Sequence, residues 1–150
     1  MRLLIYTDGA ARGNPGPAGA GAILRDADGR VVAEIAEPLG RATNNVAEWT
    51  AVLLALEEAR RLGATHVDLR MDSELVARQI SGIYKVKHPD LKPLHAAVMG
   101  HLRALDGYTV GHVPRALNAD ADRLSNVAID GSGSQTPDST RRRANHSTPE

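Results

Sequence analysis

Four carboxylates in this chain each stand where a predicted element ends or begins: Asp8, Glu48, Asp72 and Asp122. Asp8 follows the apolar run Leu3–Thr7, which predicts a buried strand, and precedes a segment rich in Gly and Pro. Taken singly, each carboxylate has a structural explanation, because acids cap turns and helices and complement the helix dipole. Four that converged would instead repel one another unless divalent cations offset their charge, and ligand sets made only of oxygen favour Mg²⁺ or Mn²⁺. Carboxylates that hold two such ions suit in-line displacement at phosphorus.

The composition excludes several other kinds of site. The chain of 150 residues has no cysteine, which rules out disulfides, zinc–thiolate centres and thiol nucleophiles and favours a cytoplasmic location. No apolar run approaches the roughly 18 residues of a membrane-spanning helix, and the N-terminus has no signal-peptide pattern, so we expect no membrane association. The formal net charge of zero is compatible with a nucleic-acid partner but is no evidence for one.

Hydrophobic periodicity predicts strands and helices of one α/β domain. The first three strands form an antiparallel meander, which Pro38–Arg41 is expected to end. Asn45 is the expected N-cap of a long helix, with Glu48 completing a capping box, and Asn118 is expected to cap the last helix. The predicted strands are Leu3–Thr7, Gly19–Arg25, Val31–Ala36, Thr65–Asp72 and Tyr108–Val113; the predicted helices are Thr43–Leu62, Ser73–Ser81, Leu91–Leu105 and Asn118–Ile129.

Strand direction places two of the carboxylates together. A right-handed helical crossover from the third strand lets the fourth strand pair beside the first and run parallel to it. Asp8 and Asp72 then end neighbouring strands, about 5 Å apart in the pairing direction. Ligands of α/β sheets bind outside these carboxyl ends. Beyond a domain at 1–130, residues 131–150 have almost no apolar content and predict a disordered tail or linker.

Four separated motifs in this chain resemble those of type 1 ribonuclease H, in the same order and at suitable spacing: YTDGAARGNPGPAGAGAIL, TNNVAEWTAVLLAL, MDSELV and GHVPRALNADADRLSN. The resemblance covers roughly residues 1–130. It implies a ribonuclease H-like five-stranded mixed sheet of strand order 3-2-1-4-5, flanked by helices. It also implies cleavage of the RNA strand of RNA–DNA hybrids with two Mg²⁺ ions, for which Mn²⁺ substitutes, leaving 3′-hydroxyl and 5′-phosphate ends.

The resemblance also assigns roles to individual residues. Asp8, Glu48, Asp72 and Asp122 resemble the family's catalytic, metal-binding carboxylates. His112, ten residues before Asp122, resembles the histidine that assists proton transfer or product departure. The side chains that resemble the family's contacts to the nucleic-acid backbone and the 2′-hydroxyl are Asn14, Thr43, Asn44 and Asn45.

Two departures from the family pattern leave the substrate open. Met71 replaces the usual Thr before the third-motif carboxylate, and the long basic, Trp-bearing handle of many relatives is replaced by the short segment Tyr84–Lys92, with three lysines. RNA–DNA junctions and double-stranded RNA therefore stand beside the hybrid as candidate substrates, and we expect a monomer. Two alternatives share the fold: a non-catalytic hybrid-binding module, and a DNA-directed nuclease.

Overall fold

The computed structural model describes residues 1–131, which form an α/β fold. In chain order, the elements are β1 (Arg2–Ala11), β2 (Gly16–Arg25), β3 (Val31–Ala42), α1 (Asn44–Arg61), β4 (His66–Met71), α2 (Glu74–Ile80), α3 (Lys92–Arg103), β5 (Gly107–His112), a 3₁₀ turn (Arg115–Leu117) and α4 (Ala119–Gly131). Gly131 is therefore the last residue of α4, and the rest of the predicted tail lies outside the described residues. Within residues 1–131, none of the helices combines the length and apolar character needed to cross a membrane.

The strands pair in the order β3-β2-β1-β4-β5, which confirms the predicted sheet. β2 is antiparallel to both of its neighbours, whereas β4 is parallel to β1 and to β5. In the parallel register of β1 and β4, Thr7 lies opposite Met71. Asp8 and Asp72 follow these two residues. β1 does not end at Thr7 as predicted but continues to Ala11 in its pairing with β2. Its pairing with β4 does end at Thr7, so both carboxylates lie where the β1–β4 pairing ends.

The sheet carries a hydrophobic core on each face. The larger core lies beneath α1, α2 and α3, where Trp49 of α1 is completely buried. The smaller core joins α4 to β2 and β3 through Ile23, Ala36, Leu124 and Ala128. α1 and α4 therefore cover opposite faces, and each can bring side chains from its first turns to the edge where Asp8 lies.

Two glycines of β2 allow α4 to pack directly against the sheet. A Cβ atom at Gly21 would lie 2.4 Å from the carbonyl oxygen of Ala121 and 2.5 Å from the amide nitrogen of Ser125. A Cβ atom at Gly19 would lie 2.4 Å from the carbonyl oxygen of Ser125. Backbone atoms of a helix cannot turn aside as a side chain can, so the distance between α4 and β2 depends on these glycines.

The predicted end of the third strand is wrong. β3 continues through Pro38 to Ala42, and Pro38 lies opposite Gly19 in the pairing with β2. β3 is the outer strand of the sheet. On an outer strand, a proline whose nitrogen faces away from the sheet removes no hydrogen bond between strands.

Two predicted helix caps are also wrong. Thr43, not Asn45, is the N-cap of α1, because its Oγ1 accepts a hydrogen bond from the amide of Val46. Asn118 does not cap α4 with its side chain: its Nδ2 donates to the carbonyl oxygen of Thr7 at 2.9 Å, and its Oδ1 has no partner among the described residues. Asn118 therefore ties the start of α4 to β1.

Candidate active site

Three carboxylates converge where the pairing of β1 with β4 ends. One oxygen each from Asp8, Glu48 and Asp72 lies within 4.8 Å of the others. The two aspartates come from neighbouring parallel strands, and Glu48 comes from the first turns of α1. Three side chains far apart in sequence thus form one acidic cluster.

Gly9 makes the approach of α1 possible. A Cβ atom at this position would lie 2.2 Å from the carbonyl carbon of Ala47 and 2.3 Å from the amide nitrogen of Glu48. The amide of Gly9 also donates a hydrogen bond to Glu48 Oε1 at 3.1 Å. The Glu48 carboxylate is therefore held by β1 instead of closing the predicted capping box at its own helix terminus.

Asp122, the fourth predicted carboxylate, reaches the cluster from α4. Its carboxyl group lies close enough to that of Asp8 to raise the pKa of Asp8, and all four carboxylates line one cavity of about 440 Å³. Ser125 Oγ lies 3.4 Å from Asp8 Oδ2 and donates to the carbonyl oxygen of Asp122 at 2.8 Å. The cavity is thus closed on one side by α1 and on the other by α4.

The neighbouring carboxylates raise the pKa values of Asp8 and Glu48. Burial, followed by the charges of Asp72 and Asp122, raises the pKa of Asp8 to about 8. Burial and the charges of Asp8 and Asp72 raise the pKa of Glu48 to about 9, although the hydrogen bond from Gly9 and the charge of Arg115 act in the opposite direction. In the absence of cations, two of these groups therefore hold protons at neutral pH.

Arg115 also lines the cavity, although it is absent from the predicted site residues. It lies in the 3₁₀ turn before α4, and its charge lowers the pKa of both Asp8 and Glu48. A guanidinium group at an acidic cavity is suited to a phosphate oxygen. The sequence signal was its place in the fourth motif, seven residues before Asp122, but a lone exposed arginine is otherwise unremarkable.

His112 lies at the same edge of the sheet but not in the wall of this cavity. It is the last residue of β5 and its side chain is exposed. The described residues that line the cavity include Arg115 but not His112. A role for His112 in proton transfer or product departure stays a prediction.

The four polar residues predicted to contact substrate surround a second cavity of about 430 Å³: Asn14, Thr43, Asn44 and Asn45. Asn44 and Asn45 also line the carboxylate cavity, so the two cavities are neighbours. The amide of Asn44 donates to Asn14 Oδ1 at 3.1 Å, and Asn44 Oδ1 accepts from the amide of Ala11 at 3.0 Å. These bonds join the start of α1 to the turn between β1 and β2.

Comparison with known proteins identifies the family. The family model described as reverse transcriptase-like matches residues 6–128. A bifunctional protein of Mycobacterium tuberculosis is 47% identical over 131 residues, which are 87% of this chain but 36% of that protein, so the chain spans about a third of its length. The crystal structure of RNase H1 from the archaeon Halobacterium salinarum is 45% identical with a TM-score of 0.84, and the match covers 87% of this chain and 98% of that one.

A third relative has been solved with nucleic acid. LC11-RNase H1, isolated from compost, was crystallised in complex with an RNA/DNA hybrid. It is 44% identical with a TM-score of 0.83, and the match covers 88% of this chain and 99% of that one. The family model, the relatives and the sheet order agree with the resemblance of the four motifs, and the chain therefore belongs to the type 1 ribonuclease H family.

Proposed function

We propose that this chain is a metal-dependent endoribonuclease that hydrolyses the RNA strand of RNA–DNA hybrids and leaves 3′-hydroxyl and 5′-phosphate ends. The observation that carries the proposal is the cluster of carboxylate oxygens from Asp8, Glu48 and Asp72 within 4.8 Å of one another. The intact cluster supports an enzyme over a non-catalytic hybrid-binding module. Relatives of high identity are named as ribonucleases H.

The donor set fits divalent metal ions. The cluster offers only carboxylate oxygens, which suit hard divalent ions such as Mg²⁺ and Mn²⁺ better than softer metals. Burial and the neighbouring negative charges raise the pKa values of Asp8 and Glu48, and this repulsion between carboxylates supports the proposal that cations bind here. We propose that Asp8, Glu48, Asp72 and Asp122 hold two Mg²⁺ ions, with Mn²⁺ as a substitute. Two bound ions supply the positive charge that stabilises the attacking and leaving oxygens of an in-line displacement.

The remaining residues of the site act on the nucleic acid. Arg115 is placed to bind a phosphate oxygen at the mouth of the carboxylate cavity. Side-chain amides of Asn44 and Asn45, which line both cavities, are suited to hydrogen-bond a ribose 2′-hydroxyl and so to distinguish RNA from DNA. Asn14 and Thr43 line the second cavity but not the carboxylate cavity, and they are placed to contact the nucleic-acid backbone. His112, at the sheet edge, assists proton transfer or product departure.

The hybrid is proposed as the substrate because LC11-RNase H1 is seen with an RNA/DNA hybrid. Hydrolysis of RNA–DNA junctions and of double-stranded RNA stays a prediction, as do the monomeric state and the cytoplasmic location. A direct comparison of labelled hybrid, duplex DNA and duplex RNA separates these substrates from one another and from those of a DNA-directed nuclease.

The test is cleavage of a labelled hybrid with and without metal. We expect EDTA to abolish cleavage and Mg²⁺ or Mn²⁺ to restore it, with products that carry 5′-phosphates. Asp8→Asn should remove nearly all turnover, whereas the exposed control Asp106→Asn should keep it. Cleavage that persists in EDTA or in the Asp8 variant would overturn the proposal. Cleavage confined to duplex DNA would show that the substrate is DNA and not the hybrid.

A further inference from the structure

One side of α4 carries three polar side chains at four-residue spacing: Asp122, Asn126 and Asp130. On a helix this spacing aligns them on one face. Arg12, in the turn between β1 and β2, reaches two of them: its Nη2 donates to Asn126 Oδ1 at 3.0 Å, and its Nη1 forms an ion pair with Asp130. Arg12 and Asn126 both line the carboxylate cavity.

The other half of the Asn126 side chain faces Asp122. Asn126 Nδ2 donates to the carbonyl oxygen of Asp122 at 3.0 Å and lies 3.4 Å from Asp122 Oδ1. A guanidinium group has donors only, so Arg12 requires the amide oxygen of Asn126 to point toward it. The amide nitrogen must then point toward Asp122. Arg12 thereby sets the orientation of the amide that donates to Asp122.

We propose that Arg12 and Asn126 are a pair of positioning residues that hold Asp122 in its metal-binding orientation. The inference rests on the proposed function of Asp122 as a metal ligand. Asp122 is not one of the three carboxylates whose oxygens lie within 4.8 Å of one another, so its placement depends more on its own supports. A donor on one oxygen orients the carboxylate and leaves the other oxygen free for a cation.

A purely stabilising role for Arg12 does not account for this arrangement. In the ion pair, the Arg12 side chain is 48% exposed and that of Asp130 is 66% exposed, and ion pairs so exposed contribute little to stability. What the pair does is hold the guanidinium group in contact with Asn126. Loss of Arg12 should therefore change metal binding and turnover while leaving the unfolding transition nearly unchanged.

The test combines single and double variants with two readouts. Mn²⁺ affinity is measured by calorimetry without substrate, and kcat and KM are measured separately on a hybrid. We expect Asn126→Ala to weaken Mn²⁺ binding about tenfold and lower kcat about tenfold, with KM within twofold of the wild type. Arg12→Ala should act in the same direction but less strongly. The double variant should be no worse than Asn126→Ala alone, because both act through one contact.

Two further variants sharpen the result. Asn126→Asp keeps an acceptor for Arg12 but replaces the donor to Asp122 with a carboxylate, so it should lower kcat at least as much as Asn126→Ala. Arg123→Ala removes a different arginine of α4, which pairs with Glu34 at 3.9 Å, and should leave both readouts unchanged.

Several outcomes would overturn the inference. Wild-type Mn²⁺ affinity in both single variants would do so. The inference would also be overturned if the two substitutions raised KM alone and their effects multiplied in the double variant. That result would make Arg12 an independent phosphate contact. If the wild type cleaves none of the duplexes, the proposed function fails, whereas the Mn²⁺ titration still tests the positioning pair.

Discussion

Replacement of Asp8 with Asn is expected to abolish turnover and yet to stabilise the metal-free protein. Asp8 is 5% exposed, and its pKa is raised from 3.8 to about 8 by burial and by Asp72 and Asp122. The unfolded chain releases this proton near pH 4, whereas the folded chain keeps it until about pH 8. Between these values the folded state binds more protons, so the free energy of unfolding falls as the pH rises.

The size of the effect follows from the pKa difference. The free energy of unfolding falls by about 1.4 kcal/mol for each pH unit between the pKa of the unfolded chain and pH 7, an interval of roughly three units. The buried carboxyl group of Asp8 thus lowers the stability of the metal-free protein at pH 7 by at most about 4 kcal/mol. The amide of Asp8→Asn has the same shape but does not ionise, so the variant does not lose this free energy of unfolding as the pH rises.

Urea unfolding in EDTA, followed by circular dichroism at pH 5, 6, 7 and 8, measures the difference. We expect Asp8→Asn to exceed the wild type in free energy of unfolding, with a gap that widens from pH 5 to pH 8. Added Mg²⁺ should narrow the gap, because ions that bind the folded wild type stabilise it. Asp106→Asn, at an exposed carboxylate, should show no such gap. A gap that is constant with pH, or an Asp8 variant less stable at pH 8, would refute the reasoning.

Three further predictions concern the packing and charge around the site. Gly21→Ala should destabilise the protein by about 3 kcal/mol in urea unfolding, because the new Cβ would meet backbone atoms of Ala121 and Ser125; at Gly100, where nothing lies within 4 Å, the same change should be neutral or stabilising by up to about 1 kcal/mol. Arg115→Ala should lower kcat/KM about tenfold and reduce the salt slope by about one charge, while Mn²⁺ binds more tightly once the competing cation is gone. For the wild type, the slope of log hybrid affinity against log salt concentration should correspond to only about three or four neutralised phosphates. A much steeper slope would contradict this prediction and indicate further basic contacts to the nucleic acid.

The main features of the fold could be predicted from local patterns in the sequence. Alternation along β1 places Asp8 at the edge of the core, and the crossover rule sets β4 beside β1, which brings Asp72 to the same edge. The motifs around Glu48 and Asp122 placed these residues in the first turns of helices; Asp122 lies in the first turn of α4, whereas Glu48 lies just beyond the first turn of α1. These features depend on short stretches of chain, where periodicity and chirality leave few alternatives.

The positions of the strand end and the helix caps required the tertiary structure. Pro38 reads as a strand breaker until β3 is known to be the outer strand, and residue type alone favours Asn45 over Thr43 as the cap. The Asn118 side chain does not cap α4 because its Nδ2 donates instead to the carbonyl oxygen of Thr7 in β1. The end of β3 and the role of Asn118 thus depended on partners that lie elsewhere in the sequence, whereas the bond that makes Thr43 the cap is local, to Val46.

The chemistry of the site divides in the same way. The sequence by itself determined which carboxylates are present and on which elements they lie, because those elements follow from local pattern. Only the tertiary structure decided that Glu48 is held by Gly9, that Arg115 enters the cavity and that Arg12 reaches Asn126. The physical reason is that hydrogen bonds and pKa shifts depend on distances of a few ångströms between residues far apart in the chain, which one-dimensional spacing does not specify.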